Sequence, residues 1–83
     1  MTTRLGESSN KFKEEEGLYY YLTILSLLEG VSVYELDLEL KFQEKLENYE
    51  ACSGIKKAID EADYKTYSEL KLIALELDSK YNL

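Results

Sequence analysis

Apolar and polar residues alternate in the stretch YELDLELKFQ, Tyr34 to Gln43, as they do in a half-buried β-strand. The leucine, glutamate, lysine and glutamine residues of this stretch, however, favour helices. A longer apolar pattern decides between the two, because apolar residues recur here at steps of four, four, four and three. These residues are Tyr34, Leu38, Phe42, Leu46 and Tyr49, with Cys52 continuing the row. The spacing predicts one face of a helix, which Leu36 and Leu40 widen.

Residues that are typical of helix starts and helix ends support the helical interpretation. Ser32 is placed to cap its start, with Glu35 three residues later, which is the spacing of a capping box. Gly54 follows the apolar row at the position where a glycine commonly ends a helix. We therefore predict one helix from about Val33 to Cys52.

The alternative for this region is a β-hairpin spanning about 20–42. Glu29 and Gly30 would form its turn between LTILSLL and VSVYELDLEL, whose tyrosine, threonine, isoleucine and valine residues favour strands. Glu-Gly is a poorer hairpin turn than Asn-Gly or Asp-Gly. This alternative gives an α+β fold.

The chain before Gly30 predicts an N-terminal helix from about Lys11 to Glu29, with Asn10 as its cap. The second half of this helix is apolar almost all round, which is typical of a helix central to its own bundle or buried against another chain. The preceding residues, MTTRLGESSN, lack periodicity and predict a disordered arm at 1–10. The remaining residues, 11–83, form one domain.

Two further helices are predicted downstream. The segment GIKKAIDEAD has apolar residues at helical spacing, and TYSELKLIALELDSKY begins with a second capping box, Thr66 with Glu69. The buried face of this last helix consists of Leu70, Ile73, Ala74, Leu77 and Tyr81. The sequence therefore predicts an all-α fold, a small bundle of three to four helices.

Charge and cysteine content restrict the environment and the partners. Seventeen acidic and ten basic residues give a net charge of −7, which opposes binding to nucleic acid or to an anionic membrane. The apolar run from Gly17 to Leu28 is shorter than the ~20 residues that a membrane span needs. Cys52 is the only cysteine, which favours a reducing compartment, and we expect a cytoplasmic protein with a core cysteine.

The residue content argues against an enzyme. The chain contains no histidine, which removes the commonest general base and the usual zinc ligand. The letters DEAD, Asp60 to Asp63, match a helicase motif, but the glycine-rich phosphate loop that such enzymes need is missing from the sequence. We predict no catalytic residue, no metal site and no cofactor.

Tyrosines and carboxylates remain as candidate binding residues. Eight tyrosines occur in 83 residues, three of them consecutive at 19–21, and tyrosine is enriched where proteins bind each other. Acidic residues crowd the second predicted helix and could meet a basic surface. The predicted partner-binding residues are Tyr19, Tyr20, Glu35, Asp37, Glu39 and Glu44. This pattern predicts a small acidic inhibitor or adaptor that occupies a basic surface of a larger protein, as immunity-type proteins and nucleic-acid mimics do.

A second hypothesis assigns the apolar first helix a different role. If LYYYLTILSLL is the seam between copies of the chain, the protein is a self-assembling structural or scaffold subunit, for example a homodimer.

Overall fold

Four α-helices make up the fold. A computed structural model describes the backbone of residues 2–81 and the side chains of residues 14–81. The helices are α1 (Thr2–Leu28), α2 (Val33–Lys45), α3 (Tyr49–Ala62) and α4 (Tyr67–Tyr81). Residues 2–81 contain no strand, which confirms the all-α prediction. The hairpin spanning about 20–42 is wrong, because α1 continues to Leu28 and α2 begins at Val33.

Helix α1 begins earlier than the sequence predicts. Its backbone is helical from Thr2, so Asn10 lies inside the helix and the prediction that it caps the helix start is wrong. Residues 2–10 contain no proline, and nothing else in them forces a helix to stop. The side chains of 1–13 lie outside the described residues, and the separate, disordered arm at 1–10 stays a prediction.

The end of α1 follows the predicted glycine signal. Gly30 has a φ of 99°, which glycine adopts without steric cost. The Gly30 N–H donates to the Leu27 carbonyl at 3.2 Å, and the Val31 N–H donates to the Ser26 carbonyl at 3.0 Å. This pair of hydrogen bonds is a Schellman motif, which satisfies carbonyls at the helix end.

The prediction of a single helix from about Val33 to Cys52 is wrong, because α2 ends at Lys45 and α3 begins at Tyr49. Glu47 has a φ of 59°, in the left-handed region, and its N–H donates to the Glu44 carbonyl at 3.0 Å. The Asn48 N–H donates to the Gln43 carbonyl at 3.0 Å, so α2 also ends in a Schellman motif, without a glycine.

Gly54 therefore does not end a helix; it lies buried inside α3, where α3 packs along α1. A Cβ atom at this position would lie 2.8 Å from the Tyr20 nitrogen and would also overlap the Glu16 carbonyl oxygen. Beside it, the Ser53 hydroxyl donates to the Glu16 carboxylate. The two helix backbones approach this closely because residue 54 has no side chain.

Both predicted cap residues, Ser32 and Thr66, accept a hydrogen bond at a helix start, and Thr66 forms the full capping box with Glu69. The Glu35 N–H donates to the Ser32 hydroxyl oxygen at 3.1 Å. At the start of α4 the exchange is reciprocal, with the Thr66 N–H donating to Glu69 Oε1 at 2.8 Å and the Glu69 N–H donating to Thr66 Oγ1 at 3.2 Å. These hydrogen bonds to Thr66 lower the pKa of the Glu69 carboxyl.

The core lies where α1 meets α3 and α4. It contains Tyr20, Ile24, Ala58, Leu70 and Ala74. Predicted face residues Ile73 and Leu77 of α4 pack against it, so this helix lies as the periodicity predicts. Tyr81 stacks on Tyr21 with the ring centroids 5.2 Å apart, and the Tyr21 hydroxyl donates to Asp78.

Candidate functional site

Helix α2 carries apolar residues on two opposite faces, and only one face belongs to the core. Leu36 and Gln43 are buried, and Leu40 is half-buried beside them. Three members of the long apolar row lie on the other side of α2, whereas Leu46 follows the end of α2 and Tyr49 begins α3; all five are between 49 and 72% exposed. These residues, which we call the outer row, are Tyr34, Leu38, Phe42, Leu46 and Tyr49. Exposed apolar side chains grouped along one helix commonly mark an interaction surface.

The predicted acidic residues flank the outer row on both sides. At 100° per residue, Glu35 and Glu39 fall on one flank of α2, while Asp37 and Glu44 fall on the opposite flank. Asp37 forms an ion pair with Lys41 at 3.4 Å. The four carboxylates therefore do not form a single ridge; they border a strip on which the same rotation also places Lys41 and Lys45 among the apolar side chains.

One flank opens into a groove between α1, α2 and α3. The groove has a volume of about 380 Å³, and Leu22, Leu36 and Ile55 supply apolar surface within it. The lining also includes Glu35 and Glu39 from α2 and Tyr19 from α1. The structure thus brings together three of the six predicted partner-binding residues.

Hydrogen bonds fix the polar lining of this groove. The Thr23 hydroxyl donates to the Tyr19 carbonyl at 2.7 Å, and the Ser26 hydroxyl donates to the Leu22 carbonyl at 3.1 Å. Because each hydroxyl hydrogen is used internally, the two oxygens offer only lone pairs to the groove.

A hydrogen bond from a buried amide orients the Glu39 side chain. The buried Gln43 donates its side-chain N–H to Glu39 Oε2 at 2.7 Å, and Asn48 donates to Gln43 Oε1 at 3.0 Å. The chain of amides therefore ties the Glu39 carboxylate to the end of α2. It also gives the buried Gln43 partners on both sides of its amide.

Tyr20 has a different environment from Tyr19. It is 8% exposed, and its hydroxyl donates to Glu61 Oε1 and Oε2 at 2.7 and 2.5 Å. Lys57 Nζ lies 4.7 Å from the centre of the ring. Burial and the Glu61 carboxylate raise the pKa of the Tyr20 phenol, which stays neutral. Because the Tyr20 side chain is almost fully buried, it offers little surface for the predicted contact with a partner.

The segment DEAD is part of this arrangement. Glu61 is half-buried against Tyr20, whereas Asp60 and Asp63 are exposed at the end of α3. The partner of Glu61 lies 41 residues away, and no local pattern indicates it.

Cys52 belongs to α3, and its side chain contacts α2. Its side chain is half-buried, with Sγ 3.9 Å from the Leu40 carbonyl oxygen. Burial and the nearby carboxylates of Glu44 and Glu50 raise the pKa of the thiol. A thiol in these surroundings stays protonated, and a protonated thiol is a weak nucleophile.

The described residues contain no group of three or more histidine, cysteine, aspartate or glutamate side chains that could hold a metal ion. None of the helices that the structure describes is both long enough and apolar enough to cross a membrane. Comparison with models of protein families gives no match, and no curated protein or solved structure matches the chain significantly.

Sequence reasoning missed both the exposure of the outer row and the groove. A signal for the first was present, because Leu36 and Leu40 lie about half a turn around the helix from Tyr34 and Leu38. A helix with two such faces can turn only one of them towards a single small core. The groove depends on how α1 crosses α3 at Gly54, and periodicity does not predict that crossing.

Proposed function

We propose that the protein is a non-enzymatic protein-binding module, a small acidic inhibitor or adaptor, and that helix α2 presents its binding surface. The observation that carries this proposal is the outer row: Tyr34, Leu38 and Phe42 lie on one exposed face of α2, and Leu46 and Tyr49, each more than half exposed, follow where the chain turns into α3. Burying them against a partner would remove apolar surface from water, which is the main source of affinity in protein association.

Charge supports a basic partner. Carboxylates border the outer row on both flanks, and they outnumber the two lysines, Lys41 and Lys45, that lie among its apolar side chains; the chain as a whole carries a net charge of −7. Complementary potential steers association and excludes partners of like charge. The surface therefore suits a larger protein that has an apolar groove for an amphipathic helix, with lysine and arginine residues at the rim of that groove.

The self-assembly hypothesis has less support in its original form. It used the segment LYYYLTILSLL as the seam, but Tyr20, Tyr21 and Ile24 of that segment are buried within the domain itself. A second copy of the chain would find more exposed apolar surface on the outer row of α2.

Affinity capture from the lysate of the native host, at low and at high salt, tests the proposal. The expected result is one basic protein that the wild-type chain retains at low salt and releases at high salt, because screening weakens charge complementarity. Capture should be lost when Glu35 and Glu39 are both changed to lysine. The matched control changes Asp60 and Glu76, which are exposed on other helices, to lysine and adds the same positive charge.

Equal loss of capture in both variants would show that net charge acts without a defined surface. Recovery of the bait alone at both salts, together with a salt-independent dimer in light scattering, would contradict the proposal and favour the scaffold hypothesis.

A further inference from the structure

The groove beside α2 combines apolar side chains with hydrogen-bond acceptors. Its apolar surface comes largely from leucine and isoleucine side chains, and its volume is about 380 Å³. Its side-chain polar groups are mostly acceptors: two carboxylates, of which Gln43 orients that of Glu39, and two hydroxyl oxygens whose hydrogens are donated to backbone carbonyls; the Tyr19 hydroxyl can also donate. A ligand that satisfies such a lining brings donors of its own and an apolar stem.

The carboxylates are available for a cation. Glu35 and Glu39 are exposed and lie one helical turn apart, so both side chains reach the same side of α2. Among the described residues, no lysine or arginine lies within ion-pair distance of either one. Glu39 is further oriented by the Gln43 amide, which leaves its second oxygen free of that bond.

We infer that this groove receives an arginine side chain from a basic segment of the partner protein. Arginine carries its planar charge on an apolar stem that can lie along Leu22 and Leu36. Its five N–H donors can reach both carboxylates, whereas the ammonium of lysine is a single point charge. The half-buried ring of Tyr19 at the groove wall offers a face on which a guanidinium can stack.

This inference rests on the proposed function, since it names the chemistry of the partner at one flank of the same surface. It adds a specific requirement, an arginine within the segment that lies over the groove. Attraction by net charge alone would not require an arginine at this position.

Titration of the ¹⁵N-labelled protein with N-acetyl-arginine amide, followed by backbone amide chemical shifts, tests the inference. We expect saturable shifts in the groove, at residues such as Tyr19, Leu22 and Glu39. N-acetyl-citrulline amide, which has a similar shape without the charge, should produce almost none. The variant with Glu35→Gln and Glu39→Gln should bind the arginine probe about tenfold more weakly, because it loses two charge-assisted hydrogen bonds.

The control variant carries Asp60→Asn and Glu76→Gln, which remove the same charge from exposed sites on α3 and α4. It should bind the arginine probe as the wild type does. Shifts spread over the whole acidic surface, equal weakening in the two variants, or equal binding of citrulline would overturn the inference. Equal binding of N-acetyl-lysine amide would overturn the choice of arginine.

The same spectra separate this inference from the proposed function. If the probe leaves the groove unperturbed while the wild-type chain still captures a basic partner, the arginine pocket is wrong and the binding module stands. If the probe binds in the groove but no partner is captured, the module fails while the pocket remains.

Discussion

At the scale of the residue, Gly30 and Gly54 have similar sequence surroundings but different structural roles. Each follows a run of apolar residues at helical spacing, and the pattern predicts a helix end at both. Gly30 confirms this with a φ of 99°, whereas Gly54 lies inside α3 against the backbone of α1. Glycine serves either a left-handed turn or a close approach of two backbones, and only tertiary packing shows which.

Replacement of Gly54 by alanine should therefore destabilise the domain, although alanine is the better helix former by about 1 kcal/mol. The new methyl group would meet the α1 backbone, which cannot rotate away, and we expect a loss of about 1–3 kcal/mol in the free energy of unfolding. Urea denaturation measures this loss.

Gly17→Ala is the matched control, because its Cβ would meet only the hydroxyl end of the Tyr81 side chain, which can move. This variant should lose less stability than Gly54→Ala, because the better helix propensity of alanine, about 1 kcal/mol, offsets part of the displacement of the Tyr81 ring from its stack on Tyr21. A stable Gly54→Ala variant would contradict the close crossing of α1 and α3.

The consecutive tyrosines show how much of the site the sequence predicts. Neighbours on a helix point about 100° apart, so 19, 20 and 21 could not share one face. Composition singled out Tyr19 and Tyr20 equally, but the structure places Tyr19 at the groove and buries Tyr20 against Glu61. The residue type alone identified both tyrosines as candidates. Which of them reaches the groove depends on how α1 is rotated about its axis, and packing against the core sets that rotation.

At the scale of the element, the end of α2 is the main departure from the predicted pattern. The apolar row continues from Phe42 through Leu46 to Tyr49, so periodicity alone extends the helix across the break. Neither glycine nor proline marks the stop, and Glu47 itself takes the left-handed conformation. The hydrogen bonds of Asn48 to the backbone and side chain of Gln43 hold the chain in this turn.

The left-handed Glu47 predicts a stabilising substitution. Glu47→Gly removes the steric cost of the positive φ, and we expect the free energy of unfolding to rise by about 0.5–1 kcal/mol. The same change at Glu44, which has helical backbone in α2, should lower it by about 1 kcal/mol. Thermal and urea unfolding of the two variants give the comparison, and destabilisation by Glu47→Gly would argue for a continuous helix through residue 47.

At the scale of the whole molecule, the all-α class, the Ser32 and Thr66 caps and the face of α4 follow from the sequence because they depend on local spacing. The orientation of α2 does not, because both of its faces are apolar and α3 covers only one. The residues of the outer row are thus ordinary core residues by type and surface residues by position. This difference is the basis for treating α2 as a binding element.

The most direct test of this account is partner capture by a variant in which Leu38 and Phe42 are both changed to glutamine. We predict that the variant folds with a free energy of unfolding within about 1 kcal/mol of the wild type, as is usual for surface positions. Its capture of the partner should fall by at least about tenfold, because both residues would be central to the interface.

Leu36→Gln, on the buried face of the same helix, is the control and should destabilise the domain by several kcal/mol, on the order of a buried leucine lost to a polar residue. Unfolding of the Leu38 and Phe42 variant would show that the outer row belongs to the core. Capture at full strength by the folded variant would show that α2 binds nothing through this face.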